Sequence, residues 1–197
     1  MCCGCGGCWY DGGVVYSLST GKGIAMSGNG SRREALDDLQ GFLDDITAGM
    51  NGVVRWAMFP GRKYRGETVT MHSFQSVFLA AIMLELERQH NSDVATRING
   101  EQLLVLAGIH DTGEGLGGDV RWTLKQHRIL GPMFEHVEHD LFLDAVIRPL
   151  PEEIRATFLH AYELQEHRED DPTGRFFWAV EMLGYMLRAW NEYLHGG

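Results

Sequence analysis

Beyond residue 8 the chain has no cysteine: Cys2, Cys3, Cys5 and Cys8 account for all four among 197 residues. No disulfide framework can therefore staple the body of the protein, whose stability must come from a packed core. Cations are also scarce, with 17 Lys and Arg against 27 Asp and Glu, a formal net charge of −10 and a pI of about 5.3. That balance argues against a polymeric nucleic-acid surface, which needs clustered Lys and Arg to neutralise phosphates. The apolar stretches fall short of the roughly 20 residues of a membrane span, and no charged segment precedes an apolar signal core. We therefore expect a cytoplasmic protein with no membrane partner. Past the N-terminus there is no repeat, heptad array or low-complexity tract.

A 44% hydrophobic content over this length is enough to bury one full core. Residues 1–30 differ in kind, being dense in glycine. Their cysteines could clip a soft metal, but a closed zinc site usually joins two separated ligand pairs, so a reduced terminal tail is the plainer reading. Within them, Val14-Val15-Tyr16 and Ile24-Ala25-Met26 flank the turn-like Thr20-Gly21-Lys22-Gly23, a pattern that fits a small β-hairpin. Residues 31–197 read as one helical domain. Ser31 and Glu34 form a capping box before Leu36, Leu39, Leu43 and Ile46, with Gly49 closing the segment. A second helix is expected over 70–89, with Val77, Phe78, Ala81, Met83 and Leu84 inward beside His72 and Gln75. A third runs from an Asn99 cap to His110, and others over 121–129, 132–147, 151–166 and 173–194. Gly131-Pro132, Pro149 with Pro151, and Asp171-Pro172 supply the breaks.

The chemistry concentrates at His110-Asp111. Nine His and twelve Asp in such a chain produce a chance His-Asp pair in about one chain of every two, and His139-Asp140 is another. Context separates them: the first pair ends the apolar run Leu103 to Ala107 and precedes Thr112-Gly113-Glu114-Gly115-Leu116-Gly117-Gly118-Asp119, expected to be a flexible acidic loop. His72 on an earlier helix and Glu181 on a later one complete two imidazoles and two carboxylates. That set suits one divalent first-row metal (Co, Mn or Zn class) which keeps positions open for water and substrate. Taken alone, His72 is more often a core histidine with a hydrogen-bonded ring. Glu181 lies in the apolar setting Trp178-Ala179-Val180 and Met182-Leu183, where a carboxylate needs a partner. His136, His139, Asp140 and the outlying His127 could form a second site, but with Glu135 and Glu138 they read better as a solvated helix face.

These residues resemble the HD-domain phosphohydrolases, most closely their bacterial 5'-deoxynucleotidase branch, the YfbR-like enzymes, from about Val54 to Tyr193. The segment Val54-Arg55-Trp56, then Glu67-Thr68-Val69 and His72-Ser73-Phe74-Gln75, looks like the family's opening motif. His110-Asp111, Glu114, Gly118-Asp119 and Lys125 follow its central spacing, and Leu150-Pro151-Glu152-Glu153-Ile154-Arg155 is similar to the start of a later helix. Two features depart: glutamate (Glu181) stands where the family has an aspartate ligand, and the loop Phe59 to Arg65 looks longer and carries three cations. Residues 1–30 have no counterpart.

The resemblance implies an all-α HD-domain helical bundle, a homodimer or higher homo-oligomer, and metal-dependent hydrolysis of a deoxyribonucleotide phosphate ester. His72, His110, Asp111 and Glu181 would hold the metal. Glu114 would sit beside the attacking water and Asp119 would help protonate the leaving 5'-oxygen. Arg55 and Lys125 would bind phosphate oxygens, while Trp56 would pack against the sugar and exclude a 2'-hydroxyl. Read singly, these are ordinary surface cations, loop acids and a core anchor; the joint order carries the reading. Release of phosphate from deoxynucleoside monophosphates is the leading expectation. One alternative is a deoxynucleoside triphosphate hydrolase like the small phage-type enzymes that remove dATP, with Arg62, Lys63, Arg65 or Arg121 meeting the extra phosphates. Another is a noncatalytic nucleotide-binding regulatory module in which Glu181 no longer completes the site.

Overall fold

The computed structural model describes residues 32–55, 66–90, 92–166 and 169–195, which form an all-α bundle with no strand among them. The expected hairpin and the rest of the extension, the Ser31 cap, Trp56 and the cationic loop of residues 59–65 lie outside the described residues. The helices are α1 (Arg32–Gly52), α2 (Val69–His90), α3 (Ser92–Ala95), α4 (Gly100–Ile109), α5 (Thr112–Gly117), α6 (Trp122–Lys125), α7 (Leu130–Phe142), α8 (Glu152–Glu163) and α9 (Pro172–His195). A π-helical turn, Leu143–Ile147, continues α7.

Two caps set the depth of the site. Asn99 Oδ1 accepts from the Gln102 N–H at 3.2 Å and starts α4 as expected. Asp171 Oδ1 accepts from the Thr173 and Gly174 N–H groups at 2.7 and 3.1 Å, while Pro172 sits at the first helical position, where no amide partner is needed. Thr173 Oγ1 also accepts from the Asn99 N–H at 3.1 Å, tying the starts of α4 and α9 together. At 1.5 Å per residue, His110 lies about 16 Å and Glu181 about 12 Å along their helices from the tied ends.

The core has two parts. Ala80, Leu84, Leu103, Leu106, Phe177 and Val180 pack α2, α4 and α9 together. Phe142, Val146, Ile147, Leu150 and Tyr162 join the end of α7 to α8, with Phe142 stacked on Tyr162 at 3.8 Å between ring centres. Arg155 closes the π-helical turn by donating to the Leu150 and Arg148 carbonyls, both at 2.7 Å.

The structure corrects four expectations. Residues 112–117 are a helix, not a flexible loop, and their glycines serve close packing. A Cβ at Gly113 would meet the Glu138 carbonyl oxygen of α7 at 2.5 Å, and one at Gly115 would meet Met50 of α1 at 2.7 Å. The helix expected over 121–129 stops at Lys125, because His127 Nδ1 accepts from the Ile129 and Leu130 N–H groups, both at 3.3 Å, and starts α7 instead. On α2 the inward face is Val69, His72, Ser73, Ser76, Ala80 and Leu84, whereas Phe78, Ala81 and Gln75 are exposed. This helix is apolar all round, so its periodicity does not select a face. For the same reason α2 is long and apolar enough to cross a membrane by length and composition, with a mean hydropathy of 1.4 over its best window. It nevertheless packs on α1, α3, α4, α5 and α9 as the central helix of the bundle.

Candidate metal centre

Three helices bring four groups together. Asp111 directly follows the last turn of α4, so Asp111 and His110 share an anchor, while His72 comes from α2 and Glu181 from α9. His72 Nε2 and His110 Nε2 are 3.2 Å apart. Asp111 Oδ2 lies 3.4 Å from the first and 3.3 Å from the second; Glu181 Oε2 lies 3.1 and 3.6 Å from them. Ligands around a divalent ion bonded at about 2.0–2.2 Å are separated by about 3.0–3.5 Å, the spacing found here. His72, His110 and Asp111 have ligand atoms all within 4.8 Å of one another.

The tautomer points the same way. His110 Nδ1 faces the Ala107 carbonyl at 3.0 Å, which can only accept, so the ring donates there and directs its Nε2 lone pair at the cluster. His110 Nε2 and two carboxylate oxygens thus converge as acceptors around His72 Nε2, and such a group favours a shared proton or a metal ion. Without a metal the proton is retained: burial would lower the His110 pKa, but Asp111 and Glu181 raise it to about 10. Burial would likewise raise Glu181, yet His110 and His72 hold it well below the ordinary carboxylate range. Asp111 follows the same pattern, its burial being outweighed first by Arg55 and then by His110.

Arg55 reaches Asp111 because residues 53–55 bridge to 67–69. The Arg55 N–H donates to the Glu67 carbonyl at 2.8 Å and the Val69 N–H to the Val53 carbonyl at 3.1 Å. Its guanidinium pairs with Asp111 and donates to Tyr185 Oη at 3.3 Å. Tyr185 in turn lies parallel to the His72 ring at 6.3 Å. On the other flank Lys125 pairs with Glu114 and donates to Glu138 at 3.0 Å. Burial and the Asp111 charge push the Glu114 pKa up to about 7, against the opposing pull of Lys125 and Arg55. These groups open onto a cavity of about 1230 Å³ that also meets Asp119, Arg121, Phe177 and Trp178, large enough for a nucleotide-sized ligand.

Of the residues singled out from sequence, His72, His110 and Asp111 converge, and Glu181 Oε2 approaches both histidines. Arg55, Glu114 and Lys125 stand beside them, and Asp119 lines the same cavity; Trp56 lies outside the described residues. Glu138 departs from the solvated face assigned to it, its side chain being only 15% exposed and turned to Lys125. His136 and Asp140 are exposed as expected, 3.5 Å apart, whereas His139 is half-buried and stacks on Tyr162 at 5.9 Å. Sequence reasoning missed Ser76 and Tyr185, although each stands four residues beyond a candidate ligand, at the spacing that shares a helix face.

Fold and cluster together define a helical bundle of the HD type, with a core site that could hold a metal ion. The model of the family described as 5'-deoxynucleotidase YfbR-like matches residues 42–196, and the chain belongs to that family. A 5'-deoxynucleotidase yfbR of Photorhabdus temperata is 25% identical over 118 residues, which is 59% of this chain and 57% of that protein. A 5'-deoxynucleotidase of Erwinia tasmaniensis is 27% identical over 116 residues, 58% of this chain and 56% of that protein. The chain thus spans somewhat over half the length of these relatives.

Proposed function

We propose that the chain is a metal-dependent 5'-deoxynucleotidase that releases phosphate from deoxynucleoside monophosphates in the cytoplasm. The observation that carries this reading is the convergence of His72, His110, Asp111 and Glu181 beside a cavity that Arg55 and Lys125 also line. His72, His110, Asp111 and Glu181 would hold one divalent ion of the Co, Mn or Zn class. When bound, that ion supplies Lewis acidity that lowers the pKa of water and offsets charge on the phosphoryl group.

The remaining work falls to the chain. Arg55, fixed by Asp111 and Tyr185, orients nonbridging phosphate oxygens. Lys125, held between Glu114 and Glu138, neutralises charge that develops at phosphorus. Glu114, poised near neutral pH, takes the proton from the attacking water, and Asp119 returns one to the leaving 5'-oxygen. Trp56 selects the deoxy sugar. The relatives' shared name favours neither the triphosphatase nor the noncatalytic alternative, although Arg121 in the cavity keeps a place for a longer phosphate chain.

A specific feature also favours self-association. Met71, Phe74, Phe78, Ile82 and Leu86 form an exposed apolar stripe along α2, and Met186, Leu187 and Trp190 are exposed on α9, which packs beside it. We read the stripe as the contact for a second copy in a homodimer or higher oligomer.

The test is product analysis after incubating cobalt- or manganese-loaded protein with matched ribo- and deoxyribonucleoside mono-, di- and triphosphates. Orthophosphate from deoxynucleoside monophosphates alone is expected. Tripolyphosphate, or turnover of triphosphates alone, would replace this reading with the triphosphatase. No turnover despite stoichiometric metal would sink both.

A further inference from the structure

Glu181 has two carboxylate oxygens and turns only one toward the histidines. Oε2 lies 3.1 Å from His72 Nε2, whereas Oε1 accepts a 2.7 Å hydrogen bond from Ser76 Oγ. Both side chains are buried, with Ser76 at 4% and Glu181 at 5% exposure, so water does not compete for that bond. Ser76 follows His72 by four residues, which places the two on one face of α2. The helix therefore carries a candidate ligand and, one turn later, a hydroxyl aimed at the carboxylate that opposes it. A glutamate has three rotatable side-chain bonds, and burial alone does not decide which oxygen meets the histidines. A directed hydroxyl does, because it engages one oxygen and sets the plane of the carboxylate.

We propose that Ser76 is a positioning residue of the metal centre: its hydroxyl holds Glu181 Oε1 so that Oε2 alone is presented to the ion. This rests on the reading of Glu181 as a ligand. Second-sphere hydrogen bonds of this kind typically change metal affinity by about 10–100-fold, and the effect of Ser76 should lie in that range. It should also be transmitted entirely through Glu181.

The experiment titrates Co(II) into the metal-stripped full chain, reading the visible absorption of the bound ion and its affinity against a competing chelator. Ser76→Ala is expected to weaken binding by about 10–100-fold and to alter the absorption band, while Ser76→Thr, which keeps the hydroxyl, restores both. In a Glu181→Ala background, Ser76→Ala should change nothing further. Wild-type affinity in Ser76→Ala alongside weak binding in Glu181→Ala would overturn the proposal and leave Glu181 a ligand. Wild-type affinity in Glu181→Ala would remove the ligand reading and the proposal with it. If the two losses simply add, or if Ser76→Ala only lowers the unfolding midpoint of the metal-free protein, Ser76 is structural and the proposal fails.

Discussion

At the scale of residues, the behaviour of the centre turns on what occupies the space between His72 and His110. In the metal-free protein a proton does so, since Asp111 and Glu181 raise the His110 pKa to about 10. Protonated imidazole cannot bind metal through the same nitrogen, so uptake must expel that proton. Apparent affinity should therefore rise about tenfold per pH unit as pH increases toward 10. Calorimetric titrations in buffers of different ionisation enthalpy should show one proton released per ion from this group at pH 7. A titration that releases none would contradict the assignment of His110 as both protonated and liganding. Glu114 must lose its proton as well, because a proton acceptor works only when ionised. With a pKa of about 7, its deprotonation should make kcat/KM rise through neutral pH. Glu114→Gln, which cannot accept the proton, should lower kcat by about 10²–10⁴-fold, and a variant within a factor of two of wild type would remove Glu114 from the mechanism.

At the scale of elements, the placement of Glu114 depends on how closely short helix α5 lies against α7. Gly113 has no room for a side chain, since an added Cβ would sit 2.5 Å from the Glu138 carbonyl oxygen. Gly113→Ala should force the two helices apart, costing about 1–3 kcal/mol by the usual penalty for overfilling a packed site. It should also separate Glu114 from Lys125 and Glu138, so that kcat falls while metal binding at α2, α4 and α9 persists. Chemical denaturation, activity and metal stoichiometry on one preparation check this. A stable variant with full activity would show that the contact yields without moving Glu114. The glycines of this segment also explain why its sequence reads as a loop, since residues that permit loops equally permit close packing of helices.

At the scale of the whole molecule, exposed apolar side chains gather on α2 and α9. Phe74 is 64% exposed and Phe78 56%, and the two rings lie 4.9 Å apart as a ready-made hydrophobic contact. If this stripe meets a second copy, Phe78→Glu should place buried charges in the interface and shift the protein toward monomer in sedimentation velocity. Metal content should stay unchanged, because Phe78 points away from the buried face of α2. An unchanged sedimentation coefficient would remove the stripe as the contact between copies.

Much of this organisation was legible in the residues taken in order. Apolar spacing and caps marked the long helices, and His72, His110, Asp111 and Glu181 stood out because polar ligand types in apolar helices need partners. Arg55, Glu114 and Lys125 were legible through ordered motifs. What the order of residues did not determine was which neighbour each helix face would meet. α2 is apolar on every side, so only its packing decided that Ser76 rather than Phe78 points inward. Glu138 looked like one acid among several on a wet face until α5 and α7 closed around Lys125. Tyr185 entered the site only because α9 lies beside the bridge that carries Arg55. Local spacing sets which side chains share a face, because it follows from the pitch of a single helix. The partners of that face are chosen by the whole bundle, through long-range burial that no single helix encodes.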